Sequence, residues 1–360
     1  LTMFTTIAII IALFFAMNIG ASGAAATMGV AYGSGAIKSK RKALLICSLF
    51  ILLGSYFGTE VVKTIGNGII PEDIASVKIA VIILLAATST LFFANLMGIP
   101  LSTSEVTVGA VVGVGVAYQA LYISSILEIV FFWVFVPVFS FFITYIIRKW
   151  VMTQKRREKF KKKQGREKYL VFFLLIAGCF EAFSAGMNNV ANAVGPLVGA
   201  GVISASFGVI VGGAFIALGA LLLGGRVLET NGKKITALSK GEGIMISLTG
   251  GGLVFVASLF GLPIPLTQVT TSSIIGVGTA KQGAGIWQKS IVFQMVKVWV
   301  VSPIFSLMIS YGLVKLTIQD DWYSFFVIII CCLATLGTVS LAQNSSKKKL
   351  KVTSAERTTL

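Results

Sequence analysis

Gly20-Ala-Ser-Gly-Ala-Ala-Ala-Thr-Met-Gly29 and Gly186-Met-Asn-Asn-Val-Ala-Asn-Ala-Val-Gly195 are two versions of one segment, each set inside a long apolar run. Two further pairs follow in the same order. Gly98-Ile-Pro-Leu-Ser-Thr-Ser-Glu-Val-Thr107 aligns with Gly261-Leu-Pro-Ile-Pro-Leu-Thr-Gln-Val-Thr270, and Trp133-x3-Pro137-x-Phe139-Ser140 aligns with Trp299-x3-Pro303-x-Phe305-Ser306. The spacings are 166, 163 and 166 residues, a nearly constant register that marks an internal duplication.

The surroundings of these segments suit lipid. Of 360 residues, 56% are hydrophobic and 12% are charged, whereas a soluble domain carries about twice that charged share. A membrane-crossing helix takes about 20 apolar residues. On that rule the chain divides into about eleven segments, at 3–35, 43–62, 79–98, 99–119, 121–147, 169–202, 204–225, 243–261, 262–280, 286–314 and 323–343. The first and sixth are too long for one straight crossing, since about 31 helical residues reach about 46 Å against a core of about 30 Å. Breaks are therefore expected near Gly20–Gly23 and Gly186–Asn189. The first run has no basic leader, so it reads as a retained membrane segment rather than a cleaved signal.

The repeat restarts after five crossings, an odd number, so the second copy is expected upside down. The predicted fold class is an all-α polytopic membrane protein with two inverted-topology repeats and broken helices, the layout of many secondary transporters. Its parts are a first repeat at 1–147, a basic linker at 148–168, a second repeat at 169–314, a final helix at 315–343 and a basic tail at 344–360.

The net charge of +17 is explained by orientation and not by nucleic acid. Basic residues cluster at Lys38–Lys42, Arg148–Lys168, Arg226–Lys240, Lys281–Lys289 and Lys347–Lys351. Alternating crossings place every one of these blocks on the cytoplasmic side, as the positive-inside rule requires. The other side keeps Lys63, Lys78 and Lys315 beside Glu60, Glu72, Asp73, Asp320 and Asp321. The expectation is a multi-pass protein of the cytoplasmic (inner) membrane, N-terminus outside and C-terminus inside. Cys47, Cys179, Cys331 and Cys332 have neither metal nor redox spacing, and histidine is absent. No cofactor, no metal and no enzyme activity are expected.

A half-helix beginning inside the membrane exposes free N–H groups and the positive end of its dipole, a ready anion site. The candidate substrate-binding residues are Gly20, Ala21, Ser22 and Gly23 from the first break, and Asn188, Asn189 and Asn192 from the second. The proline motifs add Ser102, Thr103, Ser104 and Thr107 from one copy, and Thr267, Thr270, Thr271 and Ser272 from the other. The competing reading of each hydroxyl is a bond back to its own helix. Lys297 lies about eleven residues, roughly 16 Å, into its segment and is a candidate to balance an anion or to exchange a proton. Its alternative is snorkelling to the cytoplasmic edge. Glu105, opposite Gln268 in the other copy, is the first coupling candidate, with pairing to Lys297 as the alternative. Glu181 is the second.

These motifs resemble those of the inorganic phosphate transporter family, whose two repeats each carry a Gly-Ala-Asn-Asp-Val-Ala-Asn-Ala signature. Residues 186–193 match it closely and residues 20–27 more weakly, and the proline motifs resemble the family's Gly-x-Pro-x-Ser-Thr-Thr stretches. In that family the signature aspartates help to bind phosphate and the coupling cation. Here Gly23 and Asn189 stand at those positions. Phosphate near neutral pH keeps a proton that a carboxylate can read, whereas sulfate only accepts hydrogen bonds. A site without carboxylates therefore predicts sulfate. Asn18-Ile-Gly-Ala-Ser22 and Met28-Gly-Val-Ala-Tyr-Gly-Ser-Gly35 also resemble the bacterial sulfate permease branch of the family. The expected function is sulfate import by alternating access, coupled to protons with sodium as the lesser choice. Sodium- or proton-coupled phosphate transport and a passive anion channel are the alternatives, and related transporters suggest a homodimer.

Overall fold

In the computed structural model, residues 2–97, 101–157, 166–229, 237–288 and 290–327 are described. Their regular structure is entirely helical: α1 (Met3–Ile19), α2 (Ala25–Thr27), α3 (Gly29–Gly33), α4 (Lys40–Ser55), α5 (Thr59–Asn67), α6 (Val77–Met97) and α7 (Thr103–Tyr118), then α8 (Ile123–Arg157), α9 (Arg166–Gly199), α10 (Ala205–Leu223), α11 (Gly225–Glu229), α12 (Lys240–Leu259), α13 (Leu266–Gln282) and α14 (Ser290–Thr317). Serines start four of these helices. The side chains of Ser39, Ser102, Ser204 and Ser239 each accept from the backbone N–H three residues on, satisfying a donor that the helix leaves free.

Among the described residues seven helices are long and apolar enough to cross a membrane, or eight if the pair α4–α5, bent by 69°, is one span. The chain is a multi-pass membrane protein. The expected eleventh segment, 323–343, and the basic tail fall almost wholly outside the described residues.

The broken helices lie elsewhere than expected. Residues Gly186–Asn189 sit inside the unbroken 34-residue α9. Residues Gly20–Ala24 form one wide π turn that joins α1 to α2 without a gap. The glycines of both motifs are used for helix packing instead. A Cβ on Gly20 would run into the Ile216 carbonyl of α10, and one on Gly186 into the Ile51 carbonyl of α4. The π turn leaves a carbonyl, Ala24 O, that accepts from Thr27 Oγ1 at 2.8 Å and Cys47 Sγ at 3.1 Å.

Among the described residues, a true interruption lies at the second proline motif. Gly261, with φ of +72°, turns the chain out of α12 in a conformation that favours glycine. Pro263 and Pro265 then keep it extended, because proline lacks an N–H and disfavours a helical residue before it. Leu101 and Ser102, outside any helix, lead into α7. The helices that follow are short. α7 has 16 residues and α13 has 17, about 24–26 Å of helix against about 30 Å of hydrocarbon, and both begin in the buried interior.

The duplication shows in the packing. Gly113 of α7 meets the Leu307 carbonyl of α14, while Gly276 of α13 meets the Phe141 carbonyl of α8. Gly54 meets Phe183, while Gly219 meets Met17. In each case the partners are repeat-matched to within one residue, so a helix of each copy is seated on a helix of the other. Ion pairs tie helix ends together: Lys40 with Glu229 at 3.0 Å, Arg148 and Lys281 with Glu242 at 2.5 and 3.2 Å, and Lys240 with Glu167.

The chain forms two compact units, Leu1–Ser310 and Tyr311–Leu360. Within the second, Lys315 pairs with Asp321 at 3.5 Å and lies over the Tyr311 ring.

Gly186→Ala is expected to destabilise the protein by about 1–3 kcal/mol through overpacking against backbone. Gly252→Ala, on a helix where an added Cβ meets nothing, is expected to be neutral or slightly stabilising. Thermal unfolding midpoints of the two purified variants check the contrast.

Candidate functional site

The extended lead-ins of α7 and α13 are tied to one another. Ser104 Oγ donates to Ile264 O at 3.2 Å, and Thr267 Oγ1 donates to Leu101 O at 3.2 Å. Residues 104 and 267, like 101 and 264, are 163 apart, the spacing of the repeat. Each half-helix thus caps the lead-in of the other, and the two N-termini meet inside the protein.

Asn188 fastens this junction to α9. Its Nδ2 donates to Ser258 Oγ at 2.8 Å and to Leu262 O at 2.9 Å, and its Oδ1 accepts from Ile264 N at 3.1 Å. Next to it runs a directed chain. Asn192 Nδ2 donates to Thr103 Oγ1 at 3.1 Å, and Thr103 Oγ1 donates to Asn189 Oδ1 at 3.0 Å. Asn192 Nδ2 also reaches Ser104 Oγ at 3.2 Å. The chain ends on Asn189 Nδ2, a buried donor with no partner among the described residues. Opposite it is Gly23, where an added Cβ would meet only Thr267 Oγ1 at 3.4 Å and Asn189 Nδ2 at 3.6 Å.

The structure therefore brings Gly23, Thr103, Ser104, Asn188, Asn189, Asn192 and Thr267 together. It places other expected site residues differently. Gly20 is a packing residue, Ala21 is buried beside it, and Ser22 Oγ accepts from the N–H of Gly23 at 2.5 Å. Ser102 caps α7, and Thr107 bonds back to Thr103 O at 2.9 Å. Ser272 lines a separate cavity, and Thr271 Oγ1 is buried without a partner among the described residues.

The two carboxyl groups occupy separate clusters along the first two turns of α13. Glu105 accepts from Gln268 Nε2, the pairing across the repeats. Glu181, fully buried, accepts from Thr270 Oγ1 at 2.5 Å. In each carboxyl the second oxygen, Oε2, has no partner among the described residues. Lys297 departs most from expectation. It is exposed on α14, consistent with an amine that reaches for the interface, and it neither pairs with Glu105 nor joins the asparagine network.

Sequence reasoning missed Ser258, Ile264 and Leu101. Two of these act through backbone carbonyl or N–H groups, which carry no residue signature. The shift of the helix breaks was readable only from Pro263 and Pro265, whose rigidity outweighs the permissiveness of glycine.

Residues 19–310 match the phosphate transporter family. The chain belongs to that family. Relatives within it include the sulfate permease CysP of Bacillus subtilis, 59% identical over 346 residues that cover 96% of this chain and 97% of the relative. A putative phosphate permease of Pyrococcus abyssi is 31% identical, covering 82% and 93% of the two chains. A solved sodium-dependent phosphate transporter shares the fold, with a TM-score of 0.75 at 24% identity, covering 88% of this chain and 100% of that one. Against the family signature, the position where Asn189 ends the hydrogen-bond chain is one of the two that carry aspartate.

Asn188→Ala is expected to lower stability by about 2–4 kcal/mol, because it strands several buried backbone and side-chain groups. Asn189→Ala removes one hydrogen bond and a free donor, so its stability is expected to change by less than about 1 kcal/mol while anion binding falls. Thermal unfolding and equilibrium binding on the same two variants separate the roles.

Proposed function

We propose that this protein imports sulfate across the cytoplasmic membrane by alternating access, driven by protons. The observation that carries the reading is the free amide of Asn189 opposite Gly23. Where a family signature carries two carboxylates, this site offers the unpaired N–H donor of Asn189 and two helix N-termini, beside the unpaired carbonyl oxygen of Asn192. Sulfate, a dianion that only accepts hydrogen bonds, is matched by donors and positive dipole ends. A carboxylate in its place would leave an unmatched contact worth about 1–3 kcal/mol. The Bacillus subtilis relative named as a sulfate permease agrees with this choice of anion.

Coupling falls to Glu105 and Glu181. Neither has an ion-pair partner among the described residues, and a buried carboxyl without a cation is neutralised by a proton or a bound cation. Their bonds to Gln268 and Thr270 attach both to the first two turns of α13, so a change of protonation is felt near the end of that helix that meets the substrate. Lys297, exposed on α14, is left out of this scheme. The basic blocks face the cytoplasm, which sets the N-terminus outside.

Uptake of labelled sulfate into proteoliposomes tests the reading. An inward proton gradient is expected to drive accumulation, and a sodium gradient alone is not. Asn189→Asp is expected to cut uptake at least tenfold, within the range set by one unmatched buried contact. Glu105→Gln and Glu181→Gln are expected to lose gradient-driven accumulation while retaining sulfate exchange. Accumulation that requires sodium, or an Asn189→Asp protein of undiminished sulfate uptake, contradicts the proposal.

A further inference from the structure

The direction of every hydrogen bond in the asparagine network is fixed by counting hydrogens. A hydroxyl carries one hydrogen, a backbone carbonyl only accepts and a backbone N–H only donates. Asn188 takes the N–H of Ile264 at 3.1 Å and gives its own N–H to Leu262 O at 2.9 Å, so its Oδ1 is an acceptor. Ser104 Oγ has Asn188 Oδ1 at 3.4 Å and Ile264 O at 3.2 Å. Both are acceptors, and the single hydrogen of Ser104 is committed to them. Toward Asn192 the Ser104 oxygen can therefore only accept, which turns Asn192 Nδ2 to it at 3.2 Å.

The order then propagates. The same Nδ2 gives its second hydrogen to Thr103 Oγ1 at 3.1 Å, and the one hydrogen of Thr103 goes on to Asn189 at 3.0 Å. The Asn189 atom that faces Thr103 must be Oδ1. Its Nδ2 is left over, buried and without a partner among the described residues. Turning Asn189 over would set its Nδ2 against a hydroxyl that already accepts and leave the Thr103 hydrogen without an acceptor. All five side chains are buried, where an unmade hydrogen bond is costly. The relay's other unpartnered atom, Asn192 Oδ1, lies away from Gly23: a Cβ added there would meet Asn189 Nδ2 and Thr267 Oγ1 within 4 Å and no atom of Asn192.

We propose that Thr103 and Ser104 are positioning residues that set anion specificity through Asn189. They relay the polarity of the α13 lead-in backbone to the site and hold the Asn189 amide with its N–H toward Gly23. An asparagine free to turn offers either end, its N–H to sulfate or its carbonyl to the P–OH of phosphate, and distinguishes the two poorly. Ser104 bonds Asn192 and not Asn189, so it acts on specificity from two hydrogen bonds away. This role deepens the reading above, in which Asn189 meets the anion, and rests on it.

The full chain, purified into nanodiscs, is titrated calorimetrically with sulfate and with phosphate near neutral pH. The unaltered protein is expected to prefer sulfate at least about tenfold. Thr103→Val keeps the shape of the side chain and removes the hydroxyl of the relay. Its preference is expected to narrow at least about fivefold, with phosphate bound more tightly and sulfate weakened by no more than about twofold, the share of an amide free to take two orientations. Thr103→Ser, which keeps a hydroxyl, is expected to retain the preference. Ser104→Ala leaves Thr103 and Asn189 in place and is expected to narrow it as Thr103→Val does, and it decides the matter if Thr103→Val does not fold. Lost packing alone would weaken both anions alike and leave their ratio. A folded Thr103→Val or Ser104→Ala protein with an unchanged ratio overturns this role alone. An unaltered protein without preference contradicts the reading of Asn189 itself, and this role falls with it.

Discussion

Backbone that leaves a helix at membrane depth must find its hydrogen-bond partners inside the protein, because lipid supplies none. Such stretches lead into α7 and α13, and much of the interior is arranged to satisfy them. Leu101 O takes the hydroxyl of Thr267, and Ile264 O takes that of Ser104. Leu262 O and Ile264 N are both held by Asn188, and Pro263 O accepts from Trp133 Nε1 at 2.9 Å. Once these groups are paired, the N-terminal ends of two short helices can be kept inside the protein. The proposed anion site depends on that placement. Asn188 is thus part of the frame, whereas Asn189, one residue on, belongs to the proposed site.

The same pairing accounts for the symmetry. A duplicated chain can satisfy two lead-ins by letting each copy cap the other, and repeat-matched residues do so at the same distance. Glycine contacts repeat the exchange at three further places, where helices come close enough for a carbonyl to occupy the position of a missing Cβ. The cost of losing a glycine there is a collision with backbone, which cannot move aside as a side chain can. The signature glycines Gly20 and Gly186 belong to this class. Their sequence position suggested a ligand-exposing break, and the structure uses them to bring α1 onto α10 and α9 onto α4.

Much of this was legible in the sequence. Apolar run lengths, the constant register of three motif pairs and the placement of basic blocks led to a duplicated multi-pass helical protein, and the hydroxyl and amide residues that converge were among those singled out. The failures have physical causes. Glycine- and asparagine-rich segments look like breaks, yet a helix tolerates them when neighbouring helices pack closely, whereas Pro263 and Pro265 stop a helix outright. Lys297 was placed by depth alone, and depth does not say which way a side chain faces. The repeat aligns Glu105 with Gln268 but does not predict the hydrogen bond between them, and the bond from Thr270 to Glu181 joins motifs that no periodicity relates.

Equilibrium binding of sulfate to the purified protein, with phosphate as competitor near neutral pH, tests most directly whether a site of neutral donors selects the anion. Sulfate is predicted to bind at least tenfold more tightly than phosphate, the smaller end of what one unmatched buried hydrogen bond produces, with the preference narrowed or reversed in Asn189→Asp. Phosphate binding as tight as sulfate in the unaltered protein would contradict the account, because Asn189 and Gly23 would then have changed the site without changing what it recognises.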